Sequence, residues 1–186
     1  LTNQLLVFAR GDLQRRQPVD LNQLGQSTLA LIGRSLAGGI RVDVDLDPEL
    51  PTVDGDEGQL RQVLLNLMVN ARDAMPAGGV LRLETSTVHG LPADVLPSAS
   101  RLEGEFVRVT IGDTGAGIPA EIAGRIFEPF FSTKPREKGT GLGLAVVFGD
   151  VVGHRGFVHV ASAARRGTRL SVYLPVGRLA SEVAAP

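Results

Sequence analysis

Ile40, Val42, Val44 and Leu46 alternate with Arg41, Asp43, Asp45 and Asp47, and the same period of two returns further along the chain. Leu81, Leu83 and Thr85 carry it, then Val107, Val109 and Ile111, then Val158 and Val160 before a hairpin at 164–167, then Leu170, Val172 and Leu174 after it. Successive side chains on a strand point to opposite faces, so these runs commit the chain to a sheet with one buried and one wetter face. Apolar spacing of three and four predicts helices over 19–36, 57–75 and 141–153, the first ended by Gly38-Gly39. The expected fold is an α+β two-layer sandwich. Its sheet is mixed and mostly antiparallel, of about five strands, with about three helices covering one face.

With 186 residues the chain is one ordinary domain with at most a short appendage. A formal net charge of −1 argues against nucleic-acid binding driven by overall positive charge. There is no cysteine, which removes disulfides, thiolate metal sites and a cysteine nucleophile. His89, His154 and His159 do not have zinc-ligand spacing. No apolar run approaches the roughly 20 residues that cross a bilayer. There is no signal-peptide pattern, and the chain opens on Leu1, so the expectation is a soluble piece of a longer protein. Leu1, Leu5, Leu6, Phe8 and Ala9 read as the tail of a helix that begins upstream. Arg15-Arg16-Gln17-Pro18 reads as a linker and 89–104, with its prolines, as a surface loop.

The helix over 57–75 is more specific. Leu60, Val63, Leu64, Leu67, Met68 and Ala71 make its apolar face. Gln59, Gln62, Asn66, Asn70 and Asp73 project within an arc of roughly 80°. A solvated polar face is the ordinary explanation of such a stripe. Here Leu65 and Val69 flank it on one side and Val63 and Ala74 on the other, while Arg61 and Arg72 project as the solvent-facing residues. An amide row bordered by apolar residues reads as a pocket wall.

Asp113 continues the inward parity of Val107, Val109 and Ile111, so a carboxylate faces the buried side and needs donors. Gly115 and Gly117 beside it would let backbone approach a flat ligand. Thr168 shares the parity of Leu170 and Val172, a second inward polar group at a strand end. Gly139-Thr140-Gly141-Leu142-Gly143-Leu144 opens a helix, and exposed amides at a helix start favour an anion. It matches neither the Walker sequence nor the dinucleotide fingerprint. Between the glycine motifs, 120–138 holds Phe127, Phe130 and Phe131 together with Lys134 and Lys138, and reads as a flap with aromatic anchors and cations for phosphate.

Together these stretches resemble the catalytic domain of sensor histidine kinases, within the family shared with gyrase, Hsp90 and MutL. The residues are Asn66-Leu-Met-Val-Asn70-Ala-Arg-Asp73-Ala, Asp113-Thr-Gly115-Ala-Gly117, Ile126-Phe127-Glu-Pro-Phe130-Phe131 and Gly139-Thr-Gly141-Leu-Gly143-Leu, in the family's order and spacing. The resemblance implies a Bergerat-type sandwich that binds ATP and Mg2+ under a lid. It implies Asn70 as the magnesium ligand, Asn66 supporting it near the phosphates, and Asp113 accepting from the adenine amino group with Thr168 assisting through water. Gly141, Leu142 and Gly143 would cradle the phosphates by backbone amides. Asp73, Gly115, Gly117, Ile118, Phe127, Gly139, Thr140 and Leu144 would complete the nucleotide site. Asn66 and Lys134 are the residues expected to act on the transferring phosphoryl group.

The ATP-hydrolysing relatives carry a glutamate one turn before the metal-binding asparagine. Asn66 stands there and cannot act as a general base, which favours phosphoryl transfer to a partner's histidine. A nucleotide-sensing domain without catalysis and an ATPase-type clamp are the alternatives. By resemblance, 1–16 would end the second helix of a dimerisation hairpin, 17–178 would be the ATP-binding domain and 179–186 a tail. The acceptor histidine would lie on the hairpin upstream of Leu1. The implied partners are that hairpin and a response-regulator receiver domain, with no nucleic acid. The parent would be a cytoplasmic homodimer, attached to a membrane or not, and the piece itself monomeric.

Overall fold

The structure, a computed structural model, describes residues 16–36, 39–90, 104–133 and 139–177. In chain order the elements are β1 (Gln17–Val19), α1 (Leu21–Ile32) with a 3-10 turn over Gly33–Leu36, β2 (Ile40–Asp45), β3 (Val53–Gly55) and α2 (Glu57–Asp73). There follow β4 (Gly79–His89), β5 (Glu105–Asp113), the single turn α3 (Ala120–Ala123), α4 (Gly143–Gly153), β6 (Phe157–Ser162) and β7 (Thr168–Pro175). The main sheet runs β2-β4-β5-β7-β6, parallel between β2 and β4 and antiparallel elsewhere, so the expected mixed sandwich is present.

Parity explains the core. Leu81, Leu83, Val107, Val109, Ile111, Leu170, Val172 and Leu174 share one sheet face and meet Leu21, Leu24, Leu60, Leu64, Leu67, Met68, Val147 and Val151 from the helices. Leu67, Met68, Leu81, Val107 and Val147 are fully buried, each worth about 1.5–3 kcal/mol of transfer free energy. Val42 and Val44 keep this parity, paired with Leu81 and Leu83, yet they are 37% and 49% exposed. The reason is position: β2 is the edge strand, where the helix layer runs out.

The opposite face is less wet than expected. Phe106, Thr110, Ser171 and Tyr173 are buried there, Phe106 packs edge-on against Phe157 at 6.2 Å, and Thr110 Oγ1 lies 2.8 Å from Ser171 Oγ.

Some boundaries move. Gln17 and Pro18 were expected in a linker and Val19 in a helix, but all three form β1, antiparallel to β3. The helix starts at Leu21 because Asp20 accepts from the amides of Asn22 and Gln23. Arg61 and Arg72 are not the free outer face of α2. Arg61 donates to Ser27 Oγ and pairs with Glu57, and Arg72 donates to Ser35 Oγ, because α1 and its 3-10 turn lie against that side. His89 belongs to β4 rather than to the loop that follows. The expectations for 1–15, 91–103 and 178–186 fall outside the described residues.

Candidate functional site

α2 carries Asn66 and Asn70 half-buried, one turn apart, against the first turn of α4. A Cβ built on Gly143 would lie 3.9 Å from Asn66 Oδ1 and 3.9 Å from Asn70 Nδ2, so the helix start lies close beside the two amides. Asn66 is engaged: its Oδ1 accepts from Gln62 at 3.0 Å and its Nδ2 donates to the Gly143 carbonyl at 3.2 Å. Asn70 has no side-chain hydrogen bond among the described residues, which leaves its amide oxygen for a ligand. Asp73 is turned into a pair with Arg72, at 2.9 Å to Nε and 2.7 Å to a terminal nitrogen.

The helix starts differ in one respect. Asp20 and Asp56 cap α1 and α2, whereas α4 begins after Leu142 without a side-chain cap. Thr140 Oγ1 accepts from the Leu142 amide at 3.4 Å, and the next amides remain unanswered by side chains. Open amides and the helix dipole at this end favour an anion. Leu144 turns inward and packs on the core.

One turn beyond Asn70, the C-terminus of α2 meets the loop after β5. The Ala74 carbonyl accepts from the Ala116 amide at 3.1 Å, and a Cβ on Gly115 would come within 2.4 Å of that carbonyl oxygen. Gly117, with φ +68°, would place a Cβ 2.0 Å from the Ala163 carbonyl. These glycines were expected to admit a ligand. Their first duty is to admit protein backbone, which pins the loop between α2 and the β6–β7 turn. Gly141 does the same beneath Phe130, whose amide donates to the Gly141 carbonyl at 2.9 Å.

Asp113 Oδ1 accepts from the Gly115 amide at 2.8 Å. Burial pushes its pKa above the usual carboxylate value, against the pull of backbone hydrogen bonds from Gly115 and Thr168. Thr168 is buried directly across the ladder from Asp113. Sequence reasoning missed Ser162, which faces Thr168 across the β6–β7 hairpin and joins its hydroxyl to it at 2.9 Å. Ser162 Oγ also accepts from the Ile118 amide at 2.8 Å, so it ties the loop after β5 to the hairpin. Its cross-strand register with Thr168 was the available signal.

The segment from 120 brings a mixed outcome. Phe127 packs on the core and against Phe148, with ring centroids 5.6 Å apart, and Ile126 is buried. Phe131 lies under the Arg125 guanidinium at 4.6 Å. Phe130 is no anchor: it is 70% exposed. Lys134 and Lys138 fall outside the described residues. A cavity of about 260 Å³ opens at the same strand ends, lined by Asp113, Ser162 and Thr168, but also by Arg82, Gly112 and Arg169 from the face away from the helices. It does not reach the asparagine row.

The chain therefore sets the loop that follows Asp113 against the C-terminus of α2 and, one turn back along that helix, an amide without a side-chain partner among the described residues beside an uncapped helix start. Asn66, Asn70 and Ala74 step along one face over eight residues, about 12 Å of helix, from the uncapped start of α4 to the loop that follows Asp113.

Comparison with known proteins agrees with this layout. Residues 55–178 match the family described as histidine kinase-, DNA gyrase B-, and HSP90-like ATPase. The sensor kinase CckA of Brucella abortus is 40% identical over 175 residues, covering 94% of this chain and 18% of that protein. The sensory histidine kinase/phosphatase NtrB of Rhodobacter capsulatus is 38% identical, covering 95% of this chain and 48% of that protein. The chain thus spans less than half of either relative. Among solved structures, full-length ShkA in complex with AMPPNP superposes with a TM-score of 0.74 at 30% identity, over 94% of this chain and 35% of ShkA. The catalytic domain of histidine kinase ThkA gives 0.69 at 26% identity, over 88% and 97%.

Proposed function

Since this chain belongs to the histidine kinase-, DNA gyrase B-, and HSP90-like ATPase family, we propose that it is the ATP-binding catalytic domain of a two-component sensor histidine kinase. In this reading it passes the γ-phosphoryl group of ATP to a histidine on a dimerisation hairpin. The observation that carries the reading is the free Asn70 amide facing the uncapped start of α4 across Gly143. It lies one turn before the C-terminus of α2, where the Ala74 carbonyl meets the loop that follows Asp113, so phosphates and base would sit against neighbouring turns of one helix face.

Asp113, held by the Gly115 amide, is a fixed acceptor for the exocyclic amino group of adenine. The amides that open α4 receive phosphate oxygens, and Thr140 stands beside them. Asn70 fits a hard cation through a neutral amide oxygen, the donor type suited to an ion held mainly by phosphates and water. Magnesium bound there would neutralise charge on the phosphate chain. Asn66 keeps α2 against α4 through the Gly143 carbonyl and supplies no base for a water molecule. Lys134 is assigned to the phosphoryl group on the same reading. Catalysis by this domain is positioning and charge neutralisation, and the imidazole nucleophile comes from the hairpin.

Residues 17–178 are assigned to this domain, supported by the β1–β3 pairing and by the bridge of Val53 to Val176. Residues 1–16 are assigned to the hairpin's second helix and 179–186 to a tail. The partners proposed are the hairpin, a second copy of the parent through it, and a receiver domain. The working place proposed is the cytoplasm. Among the described residues no helix is long and apolar enough to cross one.

Titration calorimetry with a non-hydrolysable ATP analogue tests the reading. It predicts one saturable site per chain, weakened when magnesium is chelated. Absence of binding with magnesium present would remove it.

A further inference from the structure

We infer that Ser162 is a positioning residue that turns the Thr168 hydroxyl into an acceptor towards the bound base, and thereby selects a 6-amino over a 6-oxo purine. The inference rests on the nucleotide reading above.

The argument is a count of donors and acceptors. A serine hydroxyl has one proton and two lone pairs. Ser162 Oγ lies 2.9 Å from the Gly167 carbonyl, 2.8 Å from the Ile118 amide nitrogen and 2.9 Å from Thr168 Oγ1. The Ile118 amide can only donate, so it takes one lone pair. The Gly167 carbonyl can only accept, so it takes the proton. Thr168 must then donate into the second lone pair of Ser162. With its proton committed, Thr168 Oγ1 has only lone pairs left for a ligand.

Thr168 is the ladder partner of Asp113, whose carboxylate accepts from the Gly115 amide. The strand end therefore presents two acceptors side by side. An amino group at position 6 of a purine satisfies them. A carbonyl at that position meets lone pairs and leaves buried acceptors without a partner, the more costly of the two mismatches. Inosine triphosphate makes this exchange without the 2-amino group that would let guanine offer donors from another edge.

Removing the Ser162 hydroxyl frees the Thr168 proton. Thr168 can then rotate and donate to a 6-oxo group. In Ser162→Ala, calorimetry should show inosine triphosphate binding more tightly than to the wild type, with the ATP-to-ITP affinity ratio falling about fivefold to tenfold. A purely structural serine would weaken both nucleotides together. Thr168→Val in the Ser162→Ala background should abolish the gain. If Ser162→Ala does not fold, Thr168→Ser and Thr168→Val decide: the first should keep the wild-type ratio and the second lower it. Wild-type ATP binding with an unchanged ratio in Ser162→Ala, or an unchanged ratio in Thr168→Val, overturns the inference and spares the nucleotide reading. A wild type that binds neither nucleotide overturns both.

Discussion

Among the described residues the Asn70 side-chain amide has no hydrogen-bond partner, whereas Asn66 commits its oxygen to Gln62 and one N–H to Gly143, so truncating each should have a different effect. Asn70→Ala removes no internal hydrogen bond. It should weaken magnesium-dependent ATP binding by at least about tenfold, since a charge-linked ligand is lost, while the thermal midpoint stays at the wild-type value. Asn66→Ala loses the tie between α2 and α4 and should lower stability by about 1 kcal/mol in denaturant titration. Asp113 adds a pH dependence. Its pKa is raised by burial, so the folded state holds the proton more tightly than the unfolded chain. The stability this gives is present below the ordinary carboxylate pKa and is lost as pH rises through the raised folded value. Nucleotide binding runs the other way, because only the ionised carboxylate accepts from the amino group without offering a proton. On acidification, ATP affinity should begin to fall above the usual carboxylate range, and Asp113→Asn should lack that step. Equal pH profiles for the two proteins would refute the assignment.

The pairing of α2 with α4 is fixed at both ends of α4. Asn66 meets Gly143 at its start, and at its close His154 accepts from the Asp56 amide through Nε2 at 3.0 Å while Nδ1 lies 2.6 Å from the Asp150 carbonyl. His154 is 2% exposed, so its loss leaves a buried amide at the cap of α2 without a partner. His154→Leu should destabilise the domain by about 1–3 kcal/mol, read from urea unfolding, and should not alter the m-value. These helices were legible in the sequence because their apolar spacing runs over several turns. Their surroundings were not. Projection of α2 alone sends Arg61 and Arg72 to solvent, and only the packing of α1 shows them donating to Ser27 and Ser35. β1 and β3 are three residues each, too short to display a period, and Pro18 made β1 resemble a linker. Ser162 escaped for a related reason: its importance comes from a cross-strand partner and a loop amide far away in sequence.

For the molecule as a whole, the alternation of Val107, Val109 and Ile111 against Leu170, Val172 and Leu174 gave away the sheet, its buried side and the inward turn of Asp113 and Thr168. The four motifs carried the family, and the match over 55–178 agrees with them. What parity could not show is that the second face buries Phe106 and Tyr173, or that β2 leaves Val42 and Val44 uncovered. The arrangement of Asn70, the α4 amides and Asp113 around the C-terminal half of α2 supports a phosphoryl donor whose acceptor comes from a partner domain. His154 cannot serve as that acceptor, because both ring nitrogens are engaged inside the fold. The most direct measurement mixes the chain with magnesium, γ-labelled ATP and a separately produced dimerisation hairpin of a related sensor kinase. Acid-labile label should accumulate on the hairpin's histidine and not on this chain, and should disappear with Asn70→Ala. Label on this chain, or steady release of inorganic phosphate with none on the hairpin, would contradict the account.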